Sequence, residues 1–428
     1  MKILVIGSGG REHAICSTLQ RTSGNRLRLF CAPGNAGIAE TAECVSIEVG
    51  DSHALLSFVE TQQIDLTIVG PEAPLADGLV DLFEARGLRI VGPDSKAAQL
   101  ESSKAFAKGF MDRQSIPTAR YRVATSFDEA EKMLSSGEFG DAEASVVIKA
   151  DGLAAGKGVF VAIDRREAFN GLNELRNGVA GLEAARKIVI EERLTGPEVS
   201  VLLFSDGKSY RLMPVARDHK RIGENDTGPN TGGMGSITGG ILIDPVMLDQ
   251  VTREIIQPTL QGCRDEGFPF RGILFIGLML TPSGPRVLEY NVRFGDPETQ
   301  SILVRLKTDL TQICEAITEG NLDQLEIDWL PGASACVVLA SRGYPAKAET
   351  GAEISGLGRA AQHEQVSIFH AATSRPEGQW LTAGGRVLGV TATGENLDLA
   401  LARCYDAVRE INWDGMQYRR DIGRTASP

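Results

Sequence analysis

The chain has 428 residues, 42% of them hydrophobic, and its 44 basic and 56 acidic residues give a formal net charge of −12. This length predicts about three domains at ~150 residues each, and the acidic balance argues against nucleic acid or an anionic membrane surface as the main partner, because both attract basic faces. Seven cysteines without a C-x-x-C pair favour reduced thiols over a disulfide framework or a zinc site, so we expect a cytoplasmic protein. The apolar run at 3–6 is too short for a signal peptide, and no apolar stretch is long enough to predict a membrane span.

Strand and helix patterns alternate through the first hundred residues. Short apolar strands separated by helical stretches are predicted, with strands at 3–6, 28–31, 66–69 and 89–91 and helices at 11–20 and 79–86. This alternation predicts a doubly wound parallel sheet. The turn after the first strand lacks the third glycine of a dinucleotide fingerprint, because Glu12 stands there. The N–H groups of Gly9 and Gly10 at a helix N-terminus still predict a site for an anion or a polar ligand.

A second domain is predicted to begin near 99–103, and a lid of strands and helices is predicted over about 120–195. Within the lid, a strand ending at Lys149 leads into Gly152, Gly156, Lys157 and Gly158 and then into a second strand. Glycines let a backbone approach phosphate oxygens closely, and the two lysines add positive charge. The spacing is not that of a P-loop, because no hydroxyl follows Lys157 and a strand follows the loop. We predict a hairpin flap over a triphosphate, with a glycine-rich turn that binds nothing as the alternative.

Residues 218–235 form a long polar segment that begins with Asp218-His219-Lys220-Arg221 and continues into a run rich in glycine and asparagine. Long loops of this kind in compact domains are uncommon and are usually either functional or disordered. Cationic groups beside glycines predict a site for a small anionic ligand, and disorder is the alternative.

A strand near residue 290 carries three polar side chains on one face. The strand period of two puts Glu289, Asn291 and Arg293 together. Carboxylate and amide oxygens suit Mg²⁺, which is typically held by one or two carboxylates together with substrate phosphates. Arg293 is placed to stabilise charge on a transferring phosphoryl group. The alternative is a half-exposed strand whose polar face meets water.

The last hundred residues begin with an apolar strand at 333–340 and carry no paired acids and no lysine flap, which predicts a capping domain. Arg386, behind two glycines, is its candidate for phosphate contact, and a plain surface arginine is the alternative. The five histidines of the chain are scattered, and none pairs with a nearby serine or cysteine in a nucleophile motif, so a covalent histidine-dependent mechanism is not predicted.

Taken in chain order, these segments make the sequence similar to the ATP-grasp enzymes, and within them to the glycinamide ribonucleotide synthetase family, the phosphoribosylamine–glycine ligases of purine biosynthesis. The resemblance runs nearly end to end. Its motifs lie at 7–14, 32–37, 69–75, 103–106, the glycine flap, 227–235, 293–300, 384–388 and 421–423.

The resemblance implies an α/β fold in three parts, with an N-terminal doubly wound parallel-sheet domain (1–103), a central ATP-grasp domain (104–330) that includes the lid, and a smaller C-terminal capping domain (331–428). It also implies ATP-dependent ligation of glycine to 5-phosphoribosylamine through a glycyl phosphate, giving glycinamide ribonucleotide, ADP and phosphate. Mg²⁺ or Mn²⁺ is the implied cofactor. We expect a monomer or a small homo-oligomer that acts on small molecules.

The same resemblance implies roles for individual residues. Those implied to bind ATP are Lys104, Lys149, Gly152, Gly156, Lys157, Gly158, Glu191, Glu192, Leu194 and Glu198, although simple exposure at a strand end is an alternative for Glu191 and Glu192. Those implied to bind glycine or the phosphoribosylamine are Gly9, Gly10, Glu72, Asp218, Lys220, Asn230, Thr231, Gly232, Asp296, Thr299 and Arg386. Glu289 and Asn291 are implied metal ligands, and Arg293, Lys149 and Asp296 are implied catalytic residues.

One feature departs from the pattern of ATP-grasp relatives. The strand before Glu289 contains Phe275-Ile276-Gly277-Leu278 and no second metal-binding acid, which leaves the number of metal ions open. Another ATP-grasp enzyme acting on a related purine intermediate shares the ATP residues, and only 218–235 and the end of 293–300 argue against it. A nucleotide sensor without turnover is the other alternative, and the presence of Glu289, Asn291 and Arg293 argues against that one.

Overall fold

The computed structural model describes residues 1–154 and 157–424. The N-terminal strands are β1 Lys2–Gly7, β2 Arg28–Pro33, β3 Glu43–Cys44, β4 Leu66–Val69 and β5 Ile90–Val91, and the helices are α1 Gly10–Ser23, α2 Ser52–Gln62, α3 Glu72–Ala76 and α4 Leu79–Glu84. The strands form one parallel sheet in the order β3-β2-β1-β4-β5. Leu4 and Ile6 pack into one apolar core and Ile3 and Val5 into another, so both faces of β1 are covered. The predicted doubly wound sheet is confirmed.

Two helices, α5 Gln99–Ser102 and α6 Lys104–Arg113, lead from this sheet into the lid. The lid elements are β6 Tyr121–Ala124, α7 Phe127–Ser135, β7 Val146–Ala150, β8 Val159–Ala162, α8 Arg165–Arg176 and β9 Ile188–Glu192. Its strands form an antiparallel sheet in the order β6-β9-β7-β8. Lys149 pairs with Val159 across the flap, which confirms the predicted strand, flap, strand arrangement. Gly156 lies outside the described residues.

The central part is mainly a large antiparallel sheet with helices against it. Its strands are β10 Glu198–Asp206, β11 Tyr210–Leu212, β12 Ala216–Asp218, β13 Arg221–Gly223, β14 Thr227–Asn230, β15 Gly235–Thr238, β16 Arg271–Thr281 and β17 Gly284–Asn291, and its helices are α9 Pro245–Val251, α10 Gln257–Asp265, α11 Glu298–Leu303 and α12 Leu310–Glu319. Strands β13 and β14 form a separate hairpin. Strand β17 pairs with β16, and a bulge beside Gly277 aims Glu289 and Asn291 at the space between the domains.

Three of the C-terminal strands continue the central sheet, and two short ones, Thr373–Ser374 and Leu381–Thr382, pair with each other. The elements are β18 Ala333–Ala340, α13 Leu357–Ala360, β19 Val366–His370, β20 Thr373–Ser374, β21 Leu381–Thr382, β22 Arg386–Gly394 and α14 Leu397–Glu410. The sheet runs β17-β16-β10-β12-β15-β18-β22-β19, with β11 beside β10. Every residue of β18 is buried, so this strand needs a neighbour along both edges, and β15 provides one of them.

Short turns of helix complete the chain. Single 3₁₀ turns lie at Gly24–Arg26, Ile38–Glu40, Glu224–Asp226, Leu322–Gln324 and Pro376–Gly378, and a π-helical turn at Thr252–Ile256 joins α9 to α10. Among the described residues, no helix combines the length and apolarity needed to cross a bilayer.

Candidate active site

A cleft of about 450 Å³ lies where the N-terminal sheet, the lid, the central sheet and the C-terminal strands meet. Each part of the chain contributes charged side chains to its wall. The residues singled out from the sequence that line it are Glu72, Lys104, Lys149, Gly158, Glu191, Asp218, Lys220, Thr231, Gly232, Glu289, Asn291, Arg293, Asp296 and Arg386.

Arg293, just beyond the end of β17, is fixed by side-chain oxygens from three residues. Its guanidinium donates to Glu101 Oε1 at 2.8 Å, to Glu72 Oε2 at 3.2 Å and to Asn291 Oδ1 at 3.1 Å. Burial opposes the positive charge, but Glu101 and Glu72 raise the pKa of Arg293 above its ordinary value. A water-facing role for this side chain is therefore wrong. The guanidinium is a fixed positive charge in the cleft, next to the oxygen of Asn291.

Glu289 is half-exposed to the cleft, with 38% of its side chain accessible. Burial works against its ionisation, but Lys220, Lys149 and Lys104 bring the pKa of Glu289 below its ordinary value. Lys220 lies 3.9 Å from it and 2.9 Å from Glu198. The carboxylate is therefore charged and open to a ligand from the cleft side.

Two further lysines reach the cleft from the lid side. Lys104 Nζ donates to the carbonyl of Gly152 at 3.3 Å, and Lys149 Nζ donates to the carbonyl of Leu288 at 3.1 Å. The latter bond ties the lid to β17. Lys149 also lies 2.9 Å from Glu191 Oε1. These ammonium groups surround the Glu289 carboxylate with positive charge, as a site for polyphosphate requires.

Strand β9 ends with Glu191 and Glu192, for which simple exposure at a strand end was the alternative to ATP binding. Glu191 is buried at 2% accessibility between lysines, so exposure is wrong for it. Glu192 is half-buried and accepts the backbone N–H of Arg120 at 2.9 Å. Leu194 follows β9 and does not line the cleft.

The segment 218–235 is ordered, so the alternative of disorder is wrong. Thr231 donates to the carbonyl of Lys220 through both its N–H and its hydroxyl at 2.8 Å, which closes the hairpin. Residues 419–423, which we call the C-terminal clamp, hold this hairpin from outside. Arg419, with a side chain 2% exposed, pairs with Asp226 at 2.7 Å, and Gly423 N–H donates to His219 Nε2 at 3.0 Å.

Arg386 joins the C-terminal strands to the cleft. It donates to Asp296 Oδ2 at 2.7 Å and to the carbonyl of Gly232 at 2.5 Å. The N–H of Gly232 donates in turn to the hydroxyl of Tyr344 at 2.9 Å. Burial opposes ionisation of Asp296, but Arg386 and Arg11 lower the pKa of Asp296 below its ordinary value. A surface role for Arg386 is therefore wrong.

Several predicted residues lie elsewhere, each for a local reason. Gly9 N–H donates to Glu12 Oε2 at 2.6 Å, and Gly10 packs against Gln300, so neither lines the cleft. Thr299 is fully buried, and its hydroxyl donates to the carbonyl of Gly295 at 2.6 Å.

One predicted residue of the flap and one of the hairpin line a different cavity. Lys157 and Asn230 line a second cavity of about 590 Å³ between the lid and the hairpin. The carbonyl of Gly152 accepts a hydrogen bond from Lys104, although Gly152 does not itself line the cleft. Its N–H donates to the carbonyl of Ala184 at 3.0 Å, which anchors the base of the flap.

Four charged residues in the cleft wall were not predicted from the sequence, namely Arg11, Glu101, Lys108 and Glu298. Lys108 follows Lys104 by four residues, so helical spacing already puts both on one face of α6. Glu298 belongs to the motif at 293–300. The pairing of Glu101 with Arg293 spans 192 residues, and no local pattern signals it.

Glu298 provides a pH-dependent prediction. Burial, and after it the charge of Asp218, raise the pKa of Glu298 from 4.5 to about 8. A carboxyl with a raised folded-state pKa stabilises the fold at low pH and loses that contribution as the pH rises through the folded value. Glu298→Gln should therefore gain thermal stability relative to the parent between pH 5 and pH 8. Melting temperatures of both proteins across this range check it, and a constant difference would contradict it.

Family models and relatives agree on one family. Models of phosphoribosylglycinamide synthetase match in three consecutive pieces, the N domain over 1–101, the ATP-grasp (A) domain over 102–299 and the C domain over 334–425. A phosphoribosylamine–glycine ligase from Rhodopirellula baltica is 45% identical, covering 99% of this chain and 97% of the relative. One from Vibrio parahaemolyticus is 46% identical, covering 100% of this chain and 98% of the relative.

Solved structures agree with these sequence matches. The crystal structure of phosphoribosylamine–glycine ligase from Thermotoga maritima superposes with a TM-score of 0.85 at 33% identity, covering 99% of this chain and 100% of that one. The biotin carboxylase domain of a Hydrogenobacter thermophilus 2-oxoglutarate carboxylase shares the fold alone, with a TM-score of 0.71 at 14% identity, covering 97% of this chain and 91% of that one. The three consecutive family models and the relatives matched over their full length show that this chain belongs to the phosphoribosylglycinamide synthetase family of ATP-grasp ligases.

Proposed function

We propose that this chain ligates glycine to 5-phosphoribosylamine at the expense of ATP, through a glycyl phosphate formed beside Arg293. The family and the names of its relatives support the overall reaction. The observation that supports phosphoryl transfer at this site is that Glu289, Asn291 and Arg293 line the same cleft as the lysines of the lid side. A cleft with that set of charges suits phosphoryl transfer, which depends on positioning and charge neutralisation more than on a protein nucleophile.

In the first step, a carboxylate oxygen of glycine attacks the γ-phosphorus of ATP, and the bond to the β-phosphate oxygen breaks to release ADP. Lys104 and Lys149 bind the phosphates, and Arg293 stabilises the charge on the transferring group. Because Glu72 and Glu101 hold the Arg293 guanidinium in place, this residue needs little reorganisation during the transfer. The described part of the flap, including Leu153 and Gly158, lines the cleft and limits access of water to the acyl phosphate.

Glu289 and Asn291 fit a divalent cation by donor chemistry. One is a charged carboxylate open to the cleft and the other an amide oxygen beside it, and hard cations such as Mg²⁺ and Mn²⁺ take oxygen ligands. Among residues 1–154 and 157–424, no group of three His, Cys, Asp or Glu side chains is arranged to hold a metal alone. We assign the remaining ligands of the cation to nucleotide phosphates. When bound, it neutralises charge on those phosphates.

In the second step, the amine of 5-phosphoribosylamine attacks the carbonyl carbon of glycyl phosphate, and phosphate leaves with the former carboxylate oxygen. Arg11 and Glu72 from the N-terminal domain and Arg386 from the C-terminal strands form another part of the cleft wall. We place the phosphoribosyl group there. Asp218 and Asp296 then face the ammonium end of glycine, while Thr231 and Gly232 bound its α-carbon.

Isotope transfer tests both parts of this proposal. With glycine labelled by ¹⁸O in its carboxylate, we expect one labelled oxygen in each phosphate released, and ADP release that requires both glycine and 5-phosphoribosylamine for sustained turnover. Ligation without label transfer would exclude the glycyl phosphate. An absence of glycine-dependent ADP release would contradict the function itself.

The parent enzyme is expected to prefer glycine over alanine by about 100-fold in kcat/KM, because an added methyl group in a crowded pocket costs ~1–3 kcal/mol. Gly232→Ala should narrow this preference, since its Cβ would lie 3.0 Å from Arg386 Cζ and displace that side chain. Gly358→Ala, where an added Cβ has no neighbour within 4 Å, is the control. Equal use of both amino acids by the parent would contradict the placement of the pocket.

We place the domain boundaries near 103 and 330, with the lid over about 120–195. The net charge of −12 supports a cytoplasmic enzyme without a nucleic-acid or membrane partner. We retain the monomer or small homo-oligomer as the expected assembly.

A further inference from the structure

Two lysines share one buried carboxylate at the floor of the cleft. Glu191 Oε1 lies 2.9 Å from Lys149 Nζ, and Glu191 Oε2 lies 3.2 Å from Lys108 Nζ. Lys108 is buried at 2% accessibility, on the second turn of α6. The group therefore brings two cations and one anion into a site with little access to water.

Both lysines are anchored to the strand that carries the proposed metal ligands. Lys108 Nζ donates to Thr118 Oγ1 at 2.7 Å, and Thr118 Oγ1 donates to the carbonyl of Val287 at 2.6 Å. Lys149 donates to the adjacent carbonyl, that of Leu288. The hydroxyl of Thr118 has its hydrogen committed to Val287, so it accepts from Lys108 in a fixed geometry.

Within this group two lysines share one carboxylate, and the next carboxylate that Lys149 faces is Glu289 on the cleft side. Buried charges are stable when each has a partner, and removing one partner of a buried pair is strongly destabilising. A nucleotide phosphate adds negative charge on the cleft side and draws Lys149 toward the cleft. When Lys149 moves toward the nucleotide, the buried Glu191 carboxylate still needs a cation beside it. Lys108 is in contact with its other oxygen, Oε2.

We propose that Lys108 is a positioning residue for ATP binding, which keeps Glu191 paired and in place while Lys149 engages the nucleotide phosphates. This inference rests on the proposed function only in that ATP occupies this cleft. Lys108 acts through Glu191 and Lys149, and its loss should weaken nucleotide binding more than glycine binding.

The surroundings of Lys108 give this role a pH dependence. Glu191 on β9 and Lys149 on β7 face its ammonium, Asp112 lies on the same helix, and the Tyr121 ring on β6 is centred 5.6 Å away. Burial lowers the pKa of Lys108 to about 8, against the opposing effect of Glu191. ATP affinity should therefore fall as the pH rises through about 8, where Lys108 loses its charge.

The test measures ATP binding to the full chain by calorimetry without glycine or phosphoribosylamine, so it does not depend on ligation. Lys108→Met is expected to raise the Kd for ATP about tenfold at pH 7, with the KM for glycine changed less than twofold in ligation assays. Lys132→Met, at an exposed lysine of the lid, is the control. Unchanged ATP affinity in a folded Lys108→Met variant would overturn the proposal.

A second variant covers the case in which Lys108→Met does not fold. Lys108→Arg keeps a positive charge at all pH values used. From pH 6.5 to 9.5, the parent should lose ATP affinity with a midpoint near pH 8, and Lys108→Arg should show a flatter profile. The same midpoint in both proteins would assign the titration to another group and overturn the proposal.

Discussion

Replacing Glu289 with alanine is expected to lower kcat by about 100- to 1,000-fold, because charge neutralisation by a bound cation contributes several kcal/mol to phosphoryl transfer. The fold should survive, since 38% of the side chain is exposed and Lys220 retains Glu198 as a partner. Turnover at saturating Mg²⁺, together with the melting temperature, measures both effects.

Glu48→Ala is the matched control for this change, because Glu48 is exposed and lies outside the cleft. It should leave kcat within twofold of the parent. Near-normal turnover of Glu289→Ala at saturating metal would contradict the assignment of Glu289 as a metal ligand. Asn291 would then be the one proposed ligand left on β17.

Arg386→Met is expected to lower kcat/KM for 5-phosphoribosylamine by about 100-fold or more. Arg386 holds Asp296 and Gly232 at once, so its loss leaves a carboxylate without its ion pair and releases the hairpin beside glycine. The KM for ATP should change little, because Lys104 and Lys149 remain in the cleft wall.

The control for this variant is Arg359→Met, which removes an exposed arginine of the C-terminal part that pairs with Glu410. Initial rates with varied phosphoribosylamine at fixed ATP and glycine provide the comparison. An equal loss for ATP and phosphoribosylamine would mean that Arg386 acts on the fold of the cleft as a whole.

Local patterns predicted the parts of the structure that depend on local physics. The apolar runs predicted β1, β2 and β4, because buried parallel strands need apolar side chains on both faces. The strand period put Glu289 and Asn291 on one face without knowledge of what lies opposite. The family resemblance, carried by several motifs in order, gave the remainder of the domain plan.

The first glycine turn shows a local signal with a competing local partner. Gly9 and Gly10 were predicted to offer N–H groups to a ligand. Glu12, three residues after Gly9, accepts the Gly9 N–H itself, which is the reciprocal half of a capping box. The sequence contained this competitor, so helix-capping rules would have found it.

Contacts between distant segments were beyond sequence patterns. The Glu101 carboxylate accepts hydrogen bonds from the Arg293 guanidinium and from the N–H of Val292, both about 190 residues further along the chain. The pairing of β15 with β18 and the hold of Arg386 on Gly232 are of the same kind. Period and propensity describe which face of a segment is buried, and they carry no information about which segment covers it.

The C-terminal clamp also bears on how the protein is made. Residues 218–235 leave the ribosome long before residues 419–423, yet Asp226 and His219 take their partners from the latter. In a nascent chain, the hairpin beside Thr231 and Gly232 therefore gains these two contacts only after the C-terminal clamp has been synthesised.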